Sequence, residues 1–304
     1  MKRLALLLVM AASALLAQAP AAKLFPSCFS PNTLAVMRID ATQVMDQPLF
    51  QEFLATKAGD GVPFFEKILN GTGVDLETMR EIWVAPQQGK DRMVMVLKGN
   101  FDAQLIEGRV QAIDTMQVVE RPGVPLAVLL GNGNNPDKNN LAALLDKETM
   151  VFGKPQLVDE FLAAKLGKGK GLPPAFATRA NAMLKNKALF SAVLLKLPPK
   201  QMRKAPWMAL FTHAEAQAFV DGQDVELEVT LGLKKPEMRE PATKLLEGAR
   251  DLYALLDKDL QKLPHLASML LEAAAVTPDP KNLVIELALP RQLIEGLLRQ
   301  KMGL

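Results

Sequence analysis

The sequence predicts an α+β protein with largely antiparallel sheets, helices packed on them, and two related strand-helix halves. Three observations lead there. Alternating apolar runs such as "TLAVMRID" (Thr33 to Asp40) and "VELEVTLGL" (Val225 to Leu233) have the period-two pattern of half-buried strands. Several of these runs are joined by tight-turn residues, and only antiparallel neighbours can be joined so closely. The pentapeptide "QLIEG" occurs at Gln104 to Gly108 and again at Gln292 to Gly296, each time after an alternating run.

Taken in order, "TLAVMRID" is a first strand, and "QPLFQEFLATKAG" follows as a helix with Pro48 in its first turn, where a missing amide proton costs nothing. "PFFEKILNGTG" reads as a second helix ended by Gly71 and Gly73. "EIWVAP" and "DRMVMVLKG" flank "QQGK" as a hairpin. "NFDAQLIEGRVQ" has helical spacing with Asp102 or Asn100 as cap. "MQVVERPGVPLAVLL" forms a hairpin around Pro122-Gly123, the pair suited to a type II turn. "LAALLDKETMVFG" is a further strand pair, and "KPQLVDEFLAAKLG" closes the half as a helix starting near Pro155. The Gly-, Lys- and Pro-rich "GKGKGLPP" marks a break. Beyond it, "ALFSAVLLKL" and "HAEAQAFVDGQDVELEVTLGL" are strands, roughly Pro241 to Val276 is a long helical region, "NLVIELAL" is a last strand and "PRQLIEGLLRQKM" a last helix.

The organisation expected is therefore residues 1–21 as a signal peptide, 22–168 as the first α+β half and 169–304 as the second. The amino terminus "MKRLALLLVMAASALLAQAPA" has the basic start, apolar centre and small-residue end of a secretory signal. Cleavage after Ala21 is preferred over Ala19, because Pro20 would follow the latter bond directly. The apolar stretch is too short for a lasting membrane span. Cys28 lies too far beyond it to serve as a lipid-attachment site.

Removal of residues 1–21 leaves 34 basic against 33 acidic side chains, a net charge of +1. Nucleic-acid binding needs a concentrated basic face, and the aromatic content of 5% supplies few stacking platforms. With one cysteine there is no internal disulfide, so stability rests on burial, for which 49% hydrophobic residues suffice. Cys28 is expected to stay a thiol or to pack as a small apolar group.

"RMVMVLKGNFDAQLIEGRV" and "NLVIELALPRQLIEGLLRQ" share a plan of alternating strand, connector and helix whose Leu-Ile pair faces the sheet; "VELEVTLGLKKPEMREPATKLLEGAR" is a looser copy. We read this as internal duplication of a unit that finishes its burial against neighbours, with the repeated helical glycine permitting close packing on the sheet. The opening "P-x-T-L-A-V-x-R-I-D" (Pro31 to Asp40), the "G-V-D" at Gly73 to Asp75 and the "F-G-K-P" at Phe152 to Pro155 resemble a broad group of exported bacterial proteins of unknown function. The resemblance covers mainly the first half. It implies export and α+β repeats and carries over no catalytic or binding residue.

Signatures of chemistry are sparse. His213 and His265 stand in no metal-ligand spacing, and Cys28 has no histidine near it in sequence. "GKGKGLPP" lacks the Gly-Lys-Ser/Thr ending of a phosphate loop. "GNGNNPDKNN" has a single carboxylate, Asp137, too few for calcium, and Met93 and Met95 alternate inside a strand as core fillers. No cofactor or metal is expected. The expected function is that of an exported, periplasmic or secreted, non-catalytic envelope protein that binds a protein partner or supports an assembly. The alternative is a periplasmic enzyme or small-ligand binder whose site is assembled only in the fold, with His213, Glu215 and Asp221 as candidate residues.

One hairpin register can be chosen in advance. An Asp221-Gly222 turn between the two strands of residues 213–233 would set Glu215 against Glu228, whereas Gly222-Gln223 sets Glu215 against Thr230, Gln217 against Glu228 and Val220 against Val225. Cross-strand pairing favours the second by about 1 kcal/mol. Ala214, Ala216 and Ala218 would then lie on a buried face under the Leu245-Leu246 helix, with His213 and Glu215 on the solvent face.

Overall fold

The computed structural model describes residues 25–48, 78–89, 92–131, 139–183, 185, 187–195, 209–222, 224–247, 274–278, 281–293 and 295–296. The described elements of the first part are β1 (Ala35–Asp40), α1 (Ala41–Met45), β2 (Glu81–Pro86), β3 (Met93–Lys98), α2 (Ala103–Gln111), β4 (Met116–Val118), β5 (Leu126–Leu130), β6 (Asn140–Asp146), β7 (Thr149–Gly153) and α3 (Pro155–Lys165). Then come α4 (Pro174–Met183), β8 (Phe190–Leu194), β9 (Phe211–Asp221), β10 (Asp224–Leu233), a 3₁₀ turn (Pro236–Met238), α5 (Arg239–Glu247), β11 (Ala274–Pro278) and β12 (Asn282–Pro290). The protein is α+β. Its strands form one twelve-stranded sheet in the order β11-β12-β10-β9-β8-β1-β2-β3-β7-β6-β5-β4. Each neighbouring pair is antiparallel.

The expected break at residues 167–174 separates α3 from α4, yet β8 beyond it pairs with β1, so the two halves share one sheet. One face of the central strands carries Val36, Trp83, Ala85, Val94, Val96, Val151 and Val193, and α3 and α4 close it with Leu157, Phe161, Ala180 and Met183. Phe25 and Phe29 complete this core, with Phe25 meeting Trp83 edge-on at 5.0 Å. Cys28 packs in the same layer, 1% exposed. The opposite face, with Met95, Leu97, Met150 and Phe152, is covered by Ile106 and Val110 of α2.

Local chemistry fixes several ends. The Asp102 carboxylate accepts from the amides of Gln104 and Leu105 at 2.9 and 3.1 Å, making it the cap of α2. Pro155 opens α3 at a position where no amide proton is needed. At the end of β1, Asp40 caps α1 through the Gln43 amide at 3.0 Å, a short helix that apolar spacing does not reveal. Between β9 and β10, Asp221 pairs with Asp224 and Gly222 has φ +57, and Glu215 faces Thr230, Gln217 faces Glu228 and Val220 faces Val225, as the pairing energies require.

Four expectations change. Residues 274–276, placed at the end of the long helical region, belong to β11 (Ala274–Pro278), an edge strand held by backbone bonds to β12 that local spacing does not encode. In the first "QLIEG" only Ile106 turns to the sheet; Leu105 is 48% exposed and Gly108 has open space around it, as has Gly296 in the second copy. The repeated glycine is therefore not a close-packing device. The alanine face of β9 is half-buried: α5 packs on that side of the sheet but mainly over β11 and β12, where Ala242 joins Leu283 and, at the start of β9, Phe211. The solvent-face assignment of His213 also fails, for a reason given with the site. The segments 1–24, 49–77, 132–138 and 248–273, which contain the expected signal peptide, the expected helix at "PFFEKILNGTG", most of the asparagine-rich loop and His265, lie outside the described residues.

Candidate functional site

His213 and Glu215 are two residues apart on β9 and therefore project from the same side of the sheet. That side carries Val193 opposite Glu215 and Ser191 opposite Gln217 on β8, and α4 lies over it. Arg179 of α4 reaches across to donate to Glu215 Oε1 through Nη1, and His213 Nε2 stands 3.5 Å from the same oxygen. The His213 side chain is only 7% exposed. An alternating strand announces which residues share a face, but not that a helix from another part of the chain will cover it.

The ring is held on its other edge. Thr212 Oγ1 lies 2.7 Å from Nδ1 and 3.1 Å from the Gly232 carbonyl oxygen. With the hydroxyl proton on the Gly232 carbonyl, Nδ1–H donates to Thr212; with it on Nδ1, the proton of the neutral ring sits on Nε2, facing Glu215. Nε2 is buried and has no hydrogen-bond partner among the described residues. Burial first and the Arg179 charge second push the imidazole below its ordinary value of 6.5, against a smaller upward pull from Glu215. At neutral pH the ring is uncharged.

Asp221 is not part of this group. It is exposed at the hairpin end of β9, opposite Asp224, and eight residues of extended strand place it roughly 26 Å from His213. The third member that the structure supplies is Arg179, which no spacing in the sequence connects with β9. No group of three His, Cys, Asp or Glu side chains able to hold a metal occurs among the described residues. Met95 is core, whereas Met93 reaches the surface at the start of β3.

A second feature lies farther along the same side, beyond the reach of α4. Glu228 on β10 is directly opposite Glu286 on β12, and Glu226 is opposite Phe219 on β9. These four side chains line a groove of about 360 Å³. Another cavity, of about 570 Å³, is bounded by the β4–β5 hairpin from Val118 to Ala127, where Arg121 pairs with Asp159 of α3 at 2.7 Å.

These features sit on an α+β scaffold of one broad antiparallel sheet with helices on both faces. The same arrangement occurs in three crystal forms of TP0453. Form III aligns with a TM-score of 0.55 over 93% of this chain and 99% of that one, at 8% identity. Form IV gives 0.53 over 90% and 95%, and form I gives 0.50 over 92% and 98%, both also at 8% identity. At that identity the likeness establishes the fold alone. No family model matches the chain. No curated protein matches it either.

Proposed function

We propose that this is an exported, non-catalytic envelope protein that binds a protein partner through the exposed side of β9, β10 and β12. The supporting observation is the Glu228–Glu286 cross-strand pair. Like charges directly opposite one another weaken a sheet, so a cationic partner surface placed over them would relieve a cost the isolated fold bears. Phe219 beside them offers an apolar anchor. The tripartite amino terminus and the resemblance to exported proteins support delivery to the envelope. No helix among the described residues is long and apolar enough to cross a membrane.

The enzyme alternative would rest on His213 and Glu215. Their arrangement is closed by Arg179, and Nε2 is buried rather than presented to a substrate.

The test is capture from envelope extracts of the native host with the mature protein and with the Glu228→Lys/Glu286→Lys double variant. A partner retained in stoichiometric amount by the wild type, released by salt and lost by a folded double variant, is the expected result. Equal retention by both, or none by the wild type, overturns the reading.

A further inference from the structure

We propose that His213, Glu215 and Arg179 form an acid-sensitive clasp that holds α4 to β9 while the His213 ring is neutral and loosens when that ring takes up a proton. The geometry supplies each part. Glu215 Oε1 is shared: Arg179 Nη1 donates to it from α4, and His213 Nε2 faces it from 3.5 Å along β9. At 3.5 Å the neutral ring is beyond hydrogen-bond length from Glu215 and brings no charge to it. A proton taken up from solvent turns the ring into a cation beside that oxygen. The new imidazolium and the Arg179 guanidinium then stand side by side at one carboxylate, and their repulsion works against the helix-to-sheet contact. The bond weakened is Arg179 to Glu215, which runs from helix to sheet.

The surroundings leave little room for another outcome. The ring cannot withdraw toward β10, because it lies over Gly232 so closely that a Cβ there would coincide with it. On this side β10 offers uncharged Gly232 and Thr230, with its nearest carboxylate, Glu228, opposite Gln217. β8 offers Val193, and α4 brings Arg179. Burial and the Arg179 charge both oppose protonation, so the clasp stays shut through neutrality and responds only to acid.

The test uses the mature full-length protein and hydrogen exchange at about pH 7.5 and about pH 5, corrected for intrinsic exchange rates. In the wild type, the amides of α4 are expected to open more on acidification relative to those of α3. The opening constant should rise by roughly tenfold per pH unit where one proton is taken up on opening. His213→Gln cannot titrate and is expected to remove this difference. In Arg179→Met the competing cation is gone, so the protonated ring gains Glu215 outright, and its NMR titration should move upward while acid no longer loosens α4. With two histidines in the chain, the ring signals are readily assigned. Equal responses of α3 and α4 in the wild type, persistence of the effect in His213→Gln, or unchanged loosening in Arg179→Met would each overturn the proposal; an unfolded His213→Gln leaves the Arg179→Met comparison to decide.

Discussion

The imidazole of His213 occupies the space that a side chain at position 232 would need on the adjacent strand. His213 and Gly232 are direct cross-strand partners, and the register shifts immediately afterwards, between Gly232 and Leu233. Gly232 is thus required for close approach. Gly232→Ala should displace the ring, break its contact with Thr212 and destabilise the protein by about 1–3 kcal/mol, as overpacking does. Urea unfolding followed by circular dichroism would measure it, and a loss below a few tenths of a kcal/mol would contradict the placement.

Arg38 and Glu81 make a buried junction between β1 and β2. Arg38 Nε and Nη2 donate to Glu81 Oε1 at 3.1 and 2.9 Å, Nη1 donates to the Ala188 carbonyl at 3.2 Å, and Trp83 Nε1 donates to Glu81 Oε2 at 2.9 Å. The Arg38 side chain is 5% exposed. Arg38 Nη2 also pairs with Asp40 Oδ2 at 3.5 Å, so Glu81→Ala removes the closer of two carboxylates together with the acceptor of the Trp83 indole, and should cost about 1–3 kcal/mol. Replacing both partners, as in Arg38→Met/Glu81→Leu, should cost much less than the single change. Equal losses in denaturant midpoint for the two proteins would disprove the coupling.

Stability should depend on acid through His213. Above pH 6.5 the ring is neutral in both folded and unfolded chains and contributes no dependence. As pH falls below 6.5 the unfolded chain takes up a proton that the folded site resists, so stability declines until the lowered folded value is passed. His213→Gln should flatten this part of the wild-type profile. Parallel curves of unfolding free energy against pH for the two proteins would refute it.

The Glu228–Glu286 pair should be a stability cost in the isolated protein. Glu286→Gln is expected to raise stability by about 0.5 kcal/mol at low ionic strength, with the gain shrinking as salt screens the charges. A destabilised Glu286→Gln would show that the two carboxylates have other partners.

Export is checked at the amino terminus. Mass spectrometry of protein purified from its native host should place the first residue near Ala22, and an intact Met1 species in the cytoplasm would contradict the signal reading.

What the sequence determined by itself was whatever short-range physics controls. The β9–β10 register followed from pairing within one hairpin, the start of α3 from a proline whose missing proton suits that position, and the α2 cap was narrowed to Asp102 or Asn100, of which the structure selects Asp102. The likeness of the two "QLIEG" segments was legible, but not the space around them, because the surroundings of Gly108 and Gly296 depend on which elements pack there. Tertiary structure decided the rest. Strand order was one such matter: β8 lies beside β1 and β7 beside β3, pairings between distant segments that alternation cannot rank. The chemistry of His213 was another. Alternation put His213 and Glu215 on one side of β9, yet α4 covers that side and delivers Arg179, 36 residues before Glu215. That cover takes the imidazole out of water and sets its charge, since desolvation and a neighbouring cation act through space rather than along the chain.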